Sequence, residues 1–198
     1  MVTEAGEAIM QSIRSHLAAS APHDPQPAPV RLPPVQSVSQ LSSVPVVDEF
    51  KRNLEAVDGH CLIVQNEAEI AAAITRITEG KRVASSDAPP PAKDLFNFDV
   101  GITNAQAGIA ETGTLVLDSS VEQNRLISLV PPIHIAILDA SRISATLGET
   151  LSALQSGKEL SPAITFITGP SRTADIELTL AIGVHGPQEL YVIINQNK

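Results

Sequence analysis

Cysteine is almost missing from this 198-residue chain, with Cys61 as its single example. One thiol excludes a disulfide framework. It also excludes an iron–sulfur cluster held by this chain's own cysteines, because each cluster takes several thiolates. Tryptophan is absent, tyrosine occurs once and aromatic residues make up 3% of the chain, so a core must be assembled from Ile, Leu, Val and Ala. Basic residues number 13 against 22 acidic ones, a formal net charge of -9. That balance argues against nucleic acid as a partner, since a polyanion needs a positive surface. No apolar run approaches the roughly 18 residues of a membrane-crossing helix. Glu4 and Glu7 stand near the start without a compact apolar stretch, so no secretory signal is expected and the expected location is the cytoplasm.

Proline is plentiful but unevenly spread: seven of the fifteen fall in residues 21–46. Such a segment favours extended geometry and cannot build a core by itself. Ahead of it, Ile9, Ile13 and Leu17 recur at helical spacing and predict a helix over residues 3–19. Residues 1–43 are therefore expected to form an arm, and residues 44–198 the domain. Across the domain, helices are predicted over 46–57, 68–77, 121–130, 146–154 and 173–181. Strands are predicted over 60–64, 82–85, 99–103, 114–117, 133–139, 163–168 and 190–195. Cys61 falls in the first strand, where a buried core role is expected. Ile- and Val-rich strands alternating with helices predict an α/β fold, with a mainly parallel sheet covered by helices on both faces. Ligands of such sheets sit beyond the carboxyl ends of the strands.

Four segments interrupt apolar runs with polar residues. In Gly108-Ile-Ala-Glu-Thr-Gly-Thr-Leu-Val-Leu117, Glu111 needs a partner if it is buried, because an unpartnered carboxylate there is costly. Alternatively it closes a turn and caps the next helix. Gly169-Pro-Ser-Arg-Thr follows an apolar run and is expected to open a helix, with Ser171 or Thr173 as cap and Arg172 as a fork for a carboxylate or phosphate. The competing reading pairs Arg172 with Asp175 or Glu177. His134 in Pro131-Pro-Ile-His134 and His185 in Gly183-Val-His-Gly-Pro187 titrate near neutrality and are candidate acids or bases, with Glu111, for catalysis. Turn packing or a satisfied core position explains both equally well. Asn124 and Arg125 begin the predicted helix at 121–130 and are candidate ligand contacts, or simply a solvated first turn. Neither a Walker loop nor a Gly-x-Gly-x-x-Gly turn occurs. Short His-x-x-x-His spacing is also absent, so no metal and no cofactor are expected.

Taken together, Ile109-Ala-Glu-Thr-Gly-Thr-Leu-Val-Leu, Asn124-Arg125, Pro131-Pro-Ile-His134, Gly169-Pro-Ser-Arg-Thr-Ala-Asp-Ile-Glu177 and Gly183-Val-His-Gly-Pro187 resemble the lactate-utilisation protein C family, defined by the LUD domain. The resemblance covers residues from about 60 to 195. It implies the fold type of glucosamine-6-phosphate deaminase, ribose-5-phosphate isomerase A and the CoA transferases. It also implies a role in bacterial L-lactate oxidation beside iron–sulfur partner proteins, which would carry the electrons that a chain with one cysteine cannot. Where family members often carry an acid shortly before the Glu-Thr-Gly motif, this chain has Gln106, which speaks against a two-carboxylate mechanism. The arm is short and lacks tryptophan.

Two functions of different class follow as expectations. The first is a component of a lactate-oxidising system that itself carries no redox cofactor. It binds a small anion through Thr112, Gly113, Asn124, Arg125, Ser171, Arg172, Thr173 and Asp175, or organises the iron–sulfur proteins. The alternative is an independent enzyme acting on a CoA thioester or sugar phosphate, with Glu111 as nucleophile or base. In either case Glu111, Ser171, Arg172 and His185 are expected to converge on one cleft at the carboxyl edge of the sheet.

Overall fold

The computed structural model describes residues 4–19, 45–122, 124–155, 161–174, 180–182 and 186–197. The proline-rich stretch at 20–44 lies outside the described residues, as do Asp175 and His185. The chain divides into two units, Met1–Gln36 and Ser37–Lys198, which are taken separately. In the first, Glu4–Ala19 forms α1, as the spacing of its apolar residues predicts. Ile9, Met10 and Ile13 are exposed.

In the second unit, Val46–Glu55 is α2, His60–Val64 β1, Glu67–Thr78 α3, Val83–Ser85 β2 and Val100–Asn104 β3. Ala107–Ile109 is β4, Thr114–Asp118 β5, Ile133–Asp139 β6, Ile143–Ser144 β7 and Leu147–Gln155 α4. Ile164–Ile167 is β8, Arg172–Ala174 β9, Leu180–Ile182 β10 and Glu189–Asn195 β11. Five strands make an all-parallel sheet in the order β1-β11-β6-β3-β2. The two-residue alternation of a strand divides its side chains between two faces. Val64, Val100, Ile135 and Ile193 point to one face, which Ile70, Ile74 and Ile77 of α3 cover. Leu190, Val192, Ile194, Ala136 and Leu138 point to the other, under Phe50 and Leu54 of α2 and Leu115 and Leu117 of β5. Helices thus cover both faces of a mainly parallel sheet, as expected, and Cys61 lies in the core.

The helix caps are local sequence events. Asn66 accepts from the Glu69 backbone N–H at 3.0 Å while Glu69 Oε2 accepts from the Gln65 N–H at 2.8 Å, a reciprocal cap that fixes the start of α3. Thr146 and Glu149 repeat it at α4, with Glu149 Oε2 3.0 Å from the Ala145 N–H and Thr146 Oγ1 3.3 Å from the Glu149 N–H.

The structure corrects three sequence expectations. First, β5 and β8 leave the parallel sheet and join β4 and β7 in a second sheet, ordered β7-β4-β5-β8. Residues 110–113 alone link β4 to β5, far too short for a parallel crossover, so the pair is an antiparallel hairpin. Second, no continuous helix spans 121–130. A single 3-10 turn, Arg125–Ser128, lies there, between the turn that buries Glu122 and the helix-ending Pro131-Pro132. Third, the predicted helix at 173–181 is replaced in its described parts by β9 and β10, paired antiparallel with Thr173 opposite Ala181. Ile176, Leu178, Leu180 and Ile182 alternate with Asp175, Glu177, Thr179 and Ala181. That period of two outweighs the capping signal of Gly169-Pro-Ser.

Candidate functional site

Three of the flagged segments meet, but at the amino edge of the parallel sheet. Pro131-Pro132 precedes β6 and Pro187 precedes β11. The Pro132 carbonyl accepts from the Gln188 N–H at 2.7 Å and from the Glu189 N–H at 3.2 Å. Gly169–Arg172 folds onto the same edge, with the Ser171 N–H donating to the Pro187 carbonyl at 2.8 Å. The carboxyl-edge expectation fails because β8, which leads into this segment, belongs to the second sheet and is not bound by the direction of the first. With no helix starting at Ser171–Thr173, the helix dipole argued for an anion is absent as well. Thr173 contributes backbone to β9.

A cleft of about 470 Å³ follows this junction, lined by Ser171, Arg172, Pro187, Ser128 and the β8 edge from Thr165 to Thr168. It adjoins a second of about 620 Å³ where Arg172 and Arg76 stand among Glu55, Asp58 and Glu189. His60 and Tyr191 stack there with ring centroids 4.6 Å apart. The Tyr191 hydroxyl donates to Glu189 at 2.8 Å, and partial burial together with that bond raises its pKa. Arg172 forms an ion pair with Asp58 and donates to the Val57 carbonyl at 3.2 Å. Its expected partners Asp175 and Glu177 lie outside the described residues. Among the described lining residues two guanidinium groups face three carboxylates, so an anion here must compete with Asp58 for Arg172.

Glu111 lies elsewhere. It is exposed, and Oε1 accepts from the Leu147 N–H at 2.7 Å. A carboxylate at the start of α4 satisfies an otherwise open donor and complements the helix dipole, the contact that the capping alternative describes. Among cavities lined by described residues, Glu111 and Thr112 share one with Thr114 and Thr168, not with Arg172. Gly113 sits against α2 at φ 63°. Asn124 precedes the 3-10 turn and Arg125 begins it, their carbonyls accepting from the Ile127 N–H at 3.0 Å and from Ser128 Oγ at 2.7 Å.

His134 is wholly buried. Its Nε2 lies 2.8 Å from Thr103 Oγ1, and Nδ1 has no hydrogen-bond partner. Burial alone pushes its pKa down to about 4, so the ring is neutral at pH 7. Burial likewise pushes the Cys61 thiol up to about 12, which keeps it protonated and unreactive.

The buried carboxylate that sequence reasoning sought at Glu111 is Glu122, almost fully covered. It sits at the carboxyl ends of β2 and β3. Oε2 accepts from the Asn104 N–H at 3.4 Å, and the Ser86 side chain adds a hydrogen bond. Desolvation raises its pKa, with the Asp87 charge acting in the same direction. Beside it, Gln106 donates to the Asn104 carbonyl at 2.5 Å and accepts from the Asp118 N–H at 2.7 Å. An ionised acid in place of Gln106 has no proton for the first of these bonds. Nothing in Ser119-Ser-Val-Glu122 distinguishes Glu122 from a solvated residue, because its burial comes from β2 and β3.

The LUD domain model matches residues 92–195. A protein called lactate utilization protein C from an Exiguobacterium species is 32% identical over 162 residues, 79% of this chain and 70% of that protein. One of the same name from Halalkalibacterium halodurans is 41% identical over 122 residues, 59% of this chain and 50% of its own length. An uncharacterised protein of Neisseria meningitidis is 46% identical over 102 residues, 49% of this chain and 42% of that one. The crystal structure of a DUF162 family protein from Deinococcus radiodurans superposes with a TM-score of 0.59 at 22% identity, covering 76% of this chain and 96% of that one. The chain belongs to the LUD domain family. It spans about half the length of several of the curated relatives it matches.

Proposed function

We propose that this chain is a non-redox component of an L-lactate utilisation system, located in the cytoplasm, that organises iron–sulfur partner proteins and binds a small carboxylate or phosphate. The observation that carries the reading is the similarity, over 79% of the chain, to a protein called lactate utilization protein C. The single cysteine supports a reading in which the partners carry the cluster chemistry. Arg172 is the ligand contact, with Ser171 beside it, and Asp58 occupies the guanidinium until an anion displaces it. An enzyme with Glu111 as nucleophile is not favoured, since that carboxylate is engaged at the start of α4.

Calorimetric titration of L-lactate, phosphate and CoA tests the ligand. Asp58→Asn, which frees the guanidinium, should tighten binding of the accepted anion, and Arg172→Ala should weaken it. No binding to either wild type or Asp58→Asn removes the ligand claim. Deleting the gene from its source organism should abolish growth on L-lactate as sole carbon source. Affinity purification of the tagged full chain from cells grown on lactate should recover cysteine-rich cluster proteins. Normal growth of the deletion strain refutes the role itself.

A further inference from the structure

The cavity between α4 and β8, an edge strand of the second sheet, takes no part in the function proposed above. It is an open groove of about 330 Å³, within the size range of small-molecule sites. One wall is apolar: Leu147 and Leu151, a helical turn apart on α4, stand with Phe166 of β8, and all three are exposed large apolar residues. The other wall is a row of hydroxyls. Thr112 Oγ1 lies 2.7 Å from Thr114 Oγ1, which lies 2.6 Å from Thr168 Oγ1. Two hydrogen bonds within the row use two of its three protons and leave acceptor lone pairs along it. Glu111 is the one charged residue among the described residues of this lining. Its carboxylate offers about four lone-pair sites, of which the Leu147 N–H takes one.

We propose that this cavity binds a small primary alkylamine as its ammonium ion. An ammonium group has three donors and no acceptor, which matches a lining that, among the described residues, holds one carboxylate and a hydroxyl row and no cationic side chain. The alkyl chain covers the wall made by Leu147, Leu151 and Phe166, removing apolar surface from water. A carboxylate guest of the same shape meets the Glu111 charge with no cationic side chain among the described lining residues to offset it. The site shares Phe166 and Thr168 with the Arg172 cleft but not Arg172 itself. Arg172→Ala therefore leaves it intact, and failure of the anion reading does not touch it.

Amide correlation spectra of the full chain, titrated with n-butylammonium, 1-butanol, butyrate and Nα-acetyl-lysine N-methylamide, test the assignment. n-Butylammonium should give saturable shifts at Thr112, Leu147 and Thr168. It should bind about tenfold more tightly than 1-butanol, the difference between a charge-assisted and a neutral hydrogen bond. Butyrate should not saturate, and the lysine amide should bind more weakly than butylammonium. Glu111→Gln, whose amide oxygen still accepts from the Leu147 N–H, should bring butylammonium down to the level of butanol. Leu151→Lys, which places a tethered ammonium over the same wall, should block all the probes. Butyrate binding as tightly as butylammonium, or unchanged affinity in Glu111→Gln, overturns the proposal. Tighter binding of the lysine amide overturns it in favour of a protein side chain as the occupant.

Discussion

Replacing Gly113 by alanine asks whether the Glu-Thr-Gly turn is held in shape by packing, with no ligand needed to explain its glycine. Gly113 has φ 63°, a conformation that strains an L residue by about 1–2 kcal/mol. A Cβ there would also stand 2.6 Å from Leu54 Cα and 2.7 Å from the Asn53 carbonyl carbon. Both are backbone atoms of α2, with no rotamer to yield. The Leu54 amide nitrogen stands closer still, and ordinary contact begins at 3.4 Å, so α2 must retreat by about 1 Å from where Phe50 and Leu54 are fully buried. A gap of that size forfeits about a quarter to a half of the dispersion contact of the atoms that lose their partners. With the backbone strain, about 3–5 kcal/mol is expected, in the range of large-to-small core substitutions. At about 2–4 °C per kcal/mol for a domain of this size, Tm should fall by about 6–20 °C. Gly80→Ala is the control: its φ is 71°, yet a Cβ there meets nothing within 4 Å, so only the strain of about 1–2 kcal/mol applies. Thermal unfolding of both variants decides the point. If Gly113→Ala is no less stable than Gly80→Ala, close packing against α2 does not explain this glycine.

Three further outcomes are expected. The buried ring of His134, with its pKa near 4 against an ordinary 6.5, binds its proton more readily in the unfolded chain, so its contribution is present above pH 6.5 and lost as pH falls toward 4. Urea unfolding should show wild type losing about 3 kcal/mol relative to His134→Leu over that window, and parallel pH profiles would disprove it. Glu122 has the opposite sign: its raised pKa makes the protonated form the stabilising one, with that contribution lost as pH rises. Glu122→Gln should match or exceed wild-type stability at pH 8 and lose the advantage in acid, and a strongly destabilised variant at pH 8 would contradict this. Finally, removing residues 1–43 should leave a domain that unfolds in one cooperative transition, and insolubility or a molten remainder would show that the arm belongs to the core.

The legible parts of the fold were those in which one signal acted without competition. β1, β6 and β11 are nearly continuous Ile, Val and Leu runs, the pattern of strands buried on both faces. α3 carries its own reciprocal cap. β4 and β7 are short and carry Gly108 or Ser144, so neither propensity nor period marks them, and only pairing with a neighbour makes them strands. The segment after Gly169 held two conflicting signals, a capping triplet and an alternating apolar pattern, and the pattern prevails because it places a run of side chains where a cap satisfies one or two donors. Glu122 was invisible for a different reason. Its burial comes from strands that precede it by some twenty to forty positions, and no local window contains that information.

Several residues of these motifs satisfy backbone groups at the ends of elements. The Pro132 carbonyl collects two N–H groups at the entry to β11, the Ser171 N–H ties a distant loop to Pro187, and Glu111 caps α4. Each of these satisfies a backbone group that would otherwise be stranded at an element end. Residues that satisfy a backbone group need no ligand to explain them. Polar groups kept in the interior are different, because an apolar residue of similar size would usually serve stability better there. Glu122 is held by Ser86 and Asn104, so its polar demand is met internally and it has no need of a guest. His134 is only half satisfied, with Thr103 on Nε2 and nothing on Nδ1, and an unmet buried donor or acceptor costs about 1–3 kcal/mol. Replacing the pair together, His134→Leu with Thr103→Val so that neither buried group is left without its partner, should therefore stabilise the fold at pH 7 if packing is the whole role of the site. A variant that is more stable yet fails to support growth on lactate would mark His134 as a residue retained for function.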